Sequence, residues 1–505
     1  MKTCEILIYG FNNKQSEEFD KSLRKECFFI TSDPVRKGLL ETKYLHKNIL
    51  ELMDSDESDQ IYSKVIEYYK EKKEKLPYEE IEKYLFPKNL ILSSIHLMTR
   101  WNLNSLEDSV RLFRKSFNLA IYLFETLKFK TILMRTGPQS MLSLILYSLS
   151  SQFSVRVIYG DPVNYGIQRW MLRGLSKRGV ESGLRPNLTK EKQKEIINRV
   201  FDSEVKPDRR RIFSSSTSDR LSFICLVSLV NYFHNLIFVI FRFSFWLYLL
   251  VRQFFETHYE HSYGGKYRIR NYWLANIKDV IRIPLLHLFY NFKSLSSWKR
   301  FKKLELTEKN KVVLVLANLQ PEKTSNPDTQ TYFDLEDVID SIKTRISDDS
   351  IILFKEHPTT FFRLREFNGP IVSTMFRSRE FYRKIEEGGF LVPIEIDTGE
   401  LIEDVDCIYS ISSSAIMDYH IKKTLEKGKP EYKNFYVFGD RWYGSLKNVH
   451  TISDDGTELV GSLSLYELLS KQLSKGFFTT DSLGAYSEET AKILSEELSD
   501  FNSEN

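Results

Sequence analysis

The stretch "IILFKEHPTT", residues 351–360, decides our interpretation of the fold. Four apolar residues are followed at once by three ionisable ones, Lys355, Glu356 and His357, and then by a proline. A short apolar run bounded in this way is typical of a strand buried in a parallel sheet. Pro358 ends such a strand because it has no backbone N–H to give to the sheet. We therefore expect the three ionisable residues at the carboxyl end of a buried strand.

The sequence around this stretch alternates between strand-like and helix-like patterns. Residues 334–346 place Leu335, Val338 and Ile342 on one face at helical spacing, and apolar runs of strand length lie on either side. This alternation predicts a doubly wound α/β sheet. The predicted strands are 311–317, 351–358, 389–394, 406–414 and 434–444, and the helices between them are 334–346, 381–388 and 414–428.

The N-terminal half carries a second α/β pattern. Residues 5–11 form a short apolar run, and residues 129–162 read as strand, Gly-Pro turn, apolar helix and strand. Such a βαβ unit requires parallel strands, with ligands gathering beyond their carboxyl ends. Asp161 and residues 136–140 are expected at that edge.

Length and composition set limits on the class of protein. A chain of 505 residues is too long for one ordinary core, so at least two domains are expected. A formal net charge of +4, from 72 basic and 68 acidic residues, argues against a nucleic-acid partner. Four widely spaced cysteines predict neither a disulfide framework nor a zinc site, and they favour a cytoplasmic location.

Polar, linker-like stretches and changes in apolar content along the chain predict four regions. These are an N-terminal Rossmann-like domain, a linker with an apolar segment, a C-terminal Rossmann-like domain and a helical tail, at 1–185, 186–309, 310–480 and 481–505. The segment 221–255 reaches the length of a membrane span. Three interpretations stay open for it: a true span, helices lying at the inner membrane face, or helices packed on the core of the protein.

Polar clusters follow four of the predicted C-terminal strands, and the carboxyl ends of parallel strands share one edge. Serines at a helix start can offer N–H and O–H groups to a phosphate, and His357 can donate to the same phosphate. Asp418, in the first turns of that helix, can accept from ribose hydroxyls. The clusters are 318–322, 355–358, Ser412 with Ser413 and Ser414, and Gly439 with Asp440 and Arg441.

Other nucleotide-binding signatures are missing from the sequence. No Walker A motif and no GxGxxG motif opens either half, which argues against P-loop and dinucleotide-binding enzymes. No DxD motif lies at a predicted strand end, so we expect no metal and no cofactor apart from a nucleotide-sugar substrate.

Four motifs together resemble a known family. "LVLANLQPEKTSNP", "IILFKEHP", "YSISSSAIMDY" and "YVFGDRWYG" occur in an order and spacing similar to the capsule polysaccharide biosynthesis proteins, over about residues 310–450. That family includes enzymes that transfer 3-deoxy-manno-octulosonate (Kdo). The chain differs from the family in reading Ser413-Ser414 and then Asp418-Tyr419, where the family shows a Gly-Thr or Ser-Gly pair and a Glu-Ala.

The resemblance implies a GT-B fold, with two Rossmann-like domains facing a cleft and the nucleotide sugar held mainly by the C-terminal domain. It implies that His357 and Ser412–Ser414 bind the phosphate and cytidine of a CMP-activated sugar, and that Gln320 and Glu322 line the cleft. Lys355 or Arg441 would help His357 to stabilise the departing phosphate. Glu356 and Asp440 complete the predicted substrate-binding set.

The expected function is therefore a glycosyltransferase acting on a surface glycan or its lipid-linked precursor. His357 and Glu322 are its predicted catalytic residues in the C-terminal half, and Asp161 and Glu181 are the candidates in the N-terminal half. An acceptor hydroxyl needs a carboxylate base, which those two would supply. Two alternatives stay open: an enzyme that does not transfer sugar, such as a nucleotide-sugar epimerase, and an inactive binding or assembly factor of glycan biosynthesis.

Overall fold

The computed structural model describes a defined part of the chain. The described residues are 5–11, 19, 27–31, 46–48, 56–84, 106–135, 137–138, 141–163, 167–173, 180–181, 186–202, 233, 259–260, 266–267, 269–318, 332, 334–357, 360, 377–411, 413, 415–426, 431–439, 442–453, 456–475, 477–479, 492, 494–496 and 498.

Eight strands among the described residues form the first sheet. Its order is β17-β6-β5-β4-β1-β2-β3, with β7 paired to β6. The five neighbouring strands β5, β4, β1, β2 and β3 pair in parallel. Strands β6, β7 and β17 are antiparallel to their neighbours. The strands are β1 Ile6–Tyr9, β2 Cys27–Thr31, β3 His46–Asn48, β4 Thr131–Met134, β5 Arg156–Val163, β6 Ile167–Arg173, β7 Val180–Glu181 and β17 Phe477–Thr479.

Seven strands of the described part of the chain form the second sheet, in the order β12-β11-β10-β13-β14-β15-β16. All neighbours are parallel except the last pair, β15 and β16. Counted along the chain, the six parallel strands have the order 3-2-1-4-5-6, which is that of doubly wound nucleotide-binding sheets. The strands are β10 Val312–Leu316, β11 Ile351–Lys355, β12 Gly389–Val392, β13 Cys407–Ser410, β14 Asn434–Phe438, β15 Val449–Ile452 and β16 Glu458–Val460; a separate pair consists of β8 Tyr259–Glu260 and β9 Lys266–Tyr267.

Helices connect these strands, and several begin at a side-chain cap. Asp334, Ser378 and Asp397 each accept a hydrogen bond from a backbone N–H two or three residues ahead, which satisfies a donor that the helix leaves free. The helices are α1 Asp56–Glu71, a 3-10 helix Pro77–Lys83, α2 Leu106–Leu127, α3 Met141–Leu149, α4 Lys190–Asp202, α5 Ile269–Phe301, α6 Leu335–Lys343, α7 Arg379–Gly388, α8 Thr398–Glu403, α9 Ala415–Leu425 and α10 Leu465–Lys475.

The central strands of the second sheet are buried on both faces. Leu314 and Leu353 belong to the apolar cluster on one face, whereas Val313 and Phe354 belong to the cluster on the other. This two-sided burial explains why the strands are uninterrupted apolar runs instead of alternating patterns. The helical face predicted within 334–346 is buried on the second of these clusters.

The edge strand β12 is covered by the second half of α5. The Leu391 N–H donates to Ser297 Oγ at 2.9 Å, and the Tyr290 hydroxyl donates to the Val392 carbonyl at 2.6 Å. These two hydrogen bonds satisfy a backbone N–H and a backbone carbonyl that an uncovered edge strand would leave available for pairing with another strand.

The structure confirms the α/β class and the parallel sheets, including the βαβ unit within 129–162, where β4 and β5 pair in parallel. The two-domain GT-B arrangement with a cleft stays a prediction. Parts of the predicted linker contribute to the core, since Ile196 and Val200 of α4 and Trp298 of α5 lie in one cluster with Leu314. Strand β17, which lies within the predicted C-terminal domain, joins the first sheet.

The apolar segment 221–255 lies outside the described residues except for Phe233, so its three interpretations stay open. Most of the predicted tail, 481–505, also lies outside them. Of the helices that the structure describes, none is long and apolar enough to cross a membrane.

Candidate functional site

The strand order of the second sheet defines a topological switch point between β10 and β13. The chain leaves β10 toward β11 on one side and reaches β13 on the other. In doubly wound sheets, ligands bind at the carboxyl edge beside such a point. Leu316 is in register with both Lys355 and Ser410. Asn318 lies two residues after Leu316, and His357 lies two residues after Lys355. Both are therefore at the carboxyl edge of the sheet.

Two buried polar side chains at this switch point have no hydrogen-bond partner in the part of the chain that the structure describes. Asn318 is 3% exposed and Ser410 is 2% exposed. Neither the carboxamide of Asn318 nor the hydroxyl of Ser410 has a hydrogen-bond partner among the described residues. Because a buried polar group without a partner is unfavourable, two of them at one edge indicate a place where a ligand supplies the missing bonds.

His357 lies half-buried at the start of a four-residue turn. Its carbonyl accepts from the Thr360 N–H at 2.9 Å, which closes the turn that begins at His357. The sequence places Pro358 at the second position of this turn, where proline is favoured. The turn therefore holds the His357 backbone directly beyond the end of β11.

The Glu356 carboxylate is fully buried within an internal network. Its Oε2 accepts from Arg377 Nε at 2.7 Å and from the Tyr382 hydroxyl at 2.8 Å. Its Oε1 accepts from the His357 N–H at 3.0 Å, the Thr360 hydroxyl at 3.1 Å and Arg377 Nη2 at 3.2 Å. Five donors thus surround one carboxylate.

Electrostatics keep this carboxylate ionised. Burial alone would raise the pKa of Glu356, but the charge and hydrogen bonds of Arg377, with those from Tyr382 and the His357 N–H, lower it below its ordinary value. Burial alone would lower the pKa of Arg377, but the charge and hydrogen bonds of Glu356 outweigh burial and raise the pKa of the guanidinium. The pKa of Tyr382 lies well above its ordinary value, first through burial and then through the Glu356 charge.

Lys355 is also internal. It is 2% exposed, and its Nζ donates to the carbonyls of Pro393 and Ile394 at 3.2 and 3.1 Å. Lys355 and Glu356 therefore do not reach solvent in the structure, although both were predicted to contact substrate. The physical reason is that each finds its partners within the protein: Lys355 at the backbone that follows β12, and Glu356 at Arg377 and Tyr382.

The start of α9 lies beyond β13, as predicted. Ser413 Oγ accepts from the Ala415 N–H at 3.2 Å, which satisfies the backbone donor of the first helical residue. Asp418 is half-buried in that turn. The helix N-terminus thus faces the carboxyl edge of the sheet, with its dipole oriented favourably for an anion.

Six predicted substrate or catalytic positions lie outside the described residues. They are Gln320, Glu322, Ser412, Ser414, Asp440 and Arg441. Next to the last pair, Gly439 follows the end of β14 at Phe438, and its φ of +82° is the left-handed conformation that glycine favours.

The backbone places the two N-terminal candidates in strands. Asp161 was expected at a strand end, but it lies inside β5, opposite Arg169 of β6. The reason is that β5 continues with β6 beyond its pairing with β4, which stops at Tyr159. Glu181 lies in β7, opposite Leu172.

Sequence reasoning missed Arg377, Tyr382 and Ser410 altogether and did not single out Asn318. The signal for Asn318 was its position directly after the apolar run 311–317. No local pattern marks Arg377, because its partner Glu356 lies 21 residues away in sequence.

Comparisons with known proteins give remote similarities. No protein-family model matches the chain, and no curated protein matches it. The chain is similar to the solved structure of Thermosulfurimonas dismutans KpsC, beta Kdo 2,4 transferase, at 16% identity and a TM-score of 0.22, covering 33% of this chain and 46% of that one. For the beta Kdo 2,7 transferase of the same organism the identity is 14% and the TM-score 0.23, over 47% and 67% of the two chains.

A Methanocaldococcus jannaschii UDP-GlcNAc 2-epimerase aligns over 98% of this chain and 99% of its own, at 11% identity and a TM-score of 0.18. Of the beta Kdo 2,4 transferase, by contrast, the chain spans less than half the length. Such TM-scores do not establish a shared fold, so the fold rests on the strand order given above.

Proposed function

We propose that the protein is a GT-B-like glycosyltransferase that binds a nucleotide sugar at the switch point of the second sheet and transfers the sugar to a glycan or glycolipid acceptor. One observation supports this most directly: Asn318 and Ser410 are buried at that switch point without partners among the described residues. The carboxamide supplies both a donor and an acceptor, and the hydroxyl supplies the same pair. These groups suit the polar edges of a nucleotide.

The proposed reaction needs charge stabilisation. The acceptor oxygen forms a bond to the anomeric carbon while the bond from that carbon to the donor phosphate breaks, and the acceptor proton passes to a carboxylate base. The nucleotide departs with the bonding electrons and carries negative charge. His357 and the N-terminus of α9 would stabilise that charge with preorganised donors.

The donor class is part of the proposal. The resemblance of residues 310–450 to Kdo-transferring proteins favours a CMP-activated acidic sugar, and Asp161 or Glu181 would supply the base. Contact of 221–255 with a membrane surface, at the inner face of the cell membrane, would bring the enzyme to a lipid-linked acceptor.

The test is a panel of CMP-, UDP- and GDP-sugars, measured first for binding by calorimetry and then for transfer to a lipid-linked acceptor. Transfer from one donor supports the proposal. Binding without transfer would leave a binding or assembly factor, and conversion of a donor without an acceptor would leave an epimerase. Either outcome overturns the transferase.

A further inference from the structure

We infer that the Glu356–Arg377 pair is a positioning device, which holds His357 and the loop after β10 in the geometry that a ligand at the switch point requires. The inference rests on the proposed function for what the ligand is. It assigns no direct ligand contact to either residue, because both are at most 1% exposed.

The pair connects three separate segments. Glu356 Oε1 accepts from the N–H of His357 and the hydroxyl of Thr360, which are the two ends of the turn after β11. Arg377 Nη2 donates to the Asn318 carbonyl at 3.2 Å, which fixes the segment after β10. Arg377 itself directly precedes Ser378, the cap of α7.

Two of the residues with a proposed ligand role, His357 and Asn318, are therefore held by the same ion pair. Glu356 fixes the backbone amide of His357, and Arg377 fixes the backbone carbonyl of Asn318. A shift of either backbone would move the imidazole or the carboxamide relative to the ligand, and displacements of about 1 Å strongly reduce productive binding.

A role in stability alone explains this arrangement less well. Removing two charges from water is so unfavourable that well-packed apolar residues often replace a buried ion pair without loss of stability. An apolar pair, however, cannot accept from the His357 N–H or donate to the Asn318 carbonyl. Positioning and stability can thus be separated by substitution.

The experiment compares two double variants of the full chain. Glu356→Met with Arg377→Met removes both charges and every hydrogen bond of the pair. Glu356→Gln with Arg377→Met also removes both charges, but the Gln carbonyl still accepts from the His357 N–H. Glu386→Gln, on α7 and paired with Lys293 and Arg300, is the control for loss of a carboxylate at a distance from the edge.

Two measurements are made on each variant: hydrogen exchange of the peptides around residues 317–318 and 356–360, and affinity for the nucleotide that the wild type binds best in the panel. With the Met/Met variant we expect amide exchange at His357 and nucleotide dissociation constants to rise by about tenfold or more, as for loss of a bond to a charged group. We expect the Gln/Met variant to recover slow exchange at 356–360 and part of the affinity, and Glu386→Gln to match the wild type.

Equal exchange and equal affinity in the Met/Met variant and the wild type would overturn the inference. If Met/Met does not fold, Thr360→Val and Tyr382→Phe replace it, since each removes one hydroxyl donor to Glu356 but only Thr360 belongs to the turn. Positioning requires a larger affinity loss in Thr360→Val, and equal losses would contradict it. If the wild type binds no nucleotide, the proposed function fails, whereas the exchange measurement still decides on positioning.

Discussion

Arg377 Nε lies 2.7 Å from Glu356 Oε2, and both side chains are enclosed by the protein. The guanidinium makes two hydrogen bonds to the carboxylate, from Nε and from Nη2. Each charge is thus matched inside the core, where burial separates it from the bulk solvent. The pair also reaches the backbone beyond two adjacent strands, β10 and β11.

The first prediction concerns this pair. In Glu356→Gln, the Arg377 charge stays buried without a counter-charge, so we expect the free energy of unfolding to fall by about 3–5 kcal/mol. Urea unfolding followed by circular dichroism measures the change. Glu403→Gln is the control, since Glu403 is a partly exposed acid paired with Lys422 and Lys423 on α9, and its loss is expected to lower stability by about 1 kcal/mol or less. A similar loss in both variants would contradict the prediction.

The second prediction concerns Asn318. Its carboxamide is buried without a partner among the described residues, so Asn318→Leu is expected to keep or raise the free energy of unfolding, by about 1 kcal/mol at most. Nucleotide affinity should fall about tenfold in the same variant, because the ligand loses a donor and an acceptor. Thermal unfolding and calorimetry give the two values.

Asn118 is the matched control for that substitution. It is 1% exposed, its Oδ1 accepts from the Tyr78 N–H at 2.8 Å, and its Nδ2 donates to the Tyr62 hydroxyl. Asn118→Leu removes the acceptor of the partly buried Tyr78 N–H and is expected to lower the free energy of unfolding by about 1–3 kcal/mol. Equal destabilisation by the two substitutions would show that Asn318 is a structural residue.

The third prediction concerns His357. Because its side chain is partly exposed, His357→Ala should change the free energy of unfolding by less than about 1 kcal/mol. Loss of a donor to an anionic phosphate should weaken nucleotide binding by about 10-fold to 100-fold. The control is His450→Ala: that ring bonds to Glu458 on the antiparallel strand β16, remote from the switch point in strand order. Unchanged affinity in His357→Ala would remove this residue from the site.

The sequence alone predicted β10 to β14 of the second sheet, because their residues are buried on both faces and each strand is therefore an apolar run. It did not predict β15 or β16, and all three residues of β16 are exposed. Val312–Leu316 and Ile351–Lys355 lie within the predicted ranges 311–317 and 351–358. The shared carboxyl edge followed from parallel pairing alone.

The roles of the edge residues were less accessible to sequence reasoning. Lys355 and Glu356 have the residue types of a substrate site, but their partners come from residues 377, 382 and 393–394, which no local pattern connects to them. Asp161 was placed at a strand end because the antiparallel extension of β5 along β6 depends on pairing that spacing does not reveal.

The last prediction concerns His420 on α9. The ring is 1% exposed, it stacks on Tyr432 with centroids 5.1 Å apart, and its Nε2 has no partner among the described residues. Burial lowers the pKa of His420 to about 4, because the protonated ring would be charged in an apolar environment.

Between pH 6.5 and 4 the unfolded chain therefore binds a proton at His420 that the folded chain does not. The corresponding stability is present above pH 6.5 and is lost as the pH falls toward 4. With 1.36 kcal/mol per pH unit, we expect a loss of about 3 kcal/mol from this residue. His420→Phe keeps the aromatic stack and cannot titrate, so its urea unfolding free energy should fall less than that of the wild type between pH 6.5 and 4.5. His450→Phe is the control for replacing a histidine elsewhere in the second sheet. If the wild type, His420→Phe and His450→Phe all lose the same free energy of unfolding over this range, then His420 does not cause the acid sensitivity.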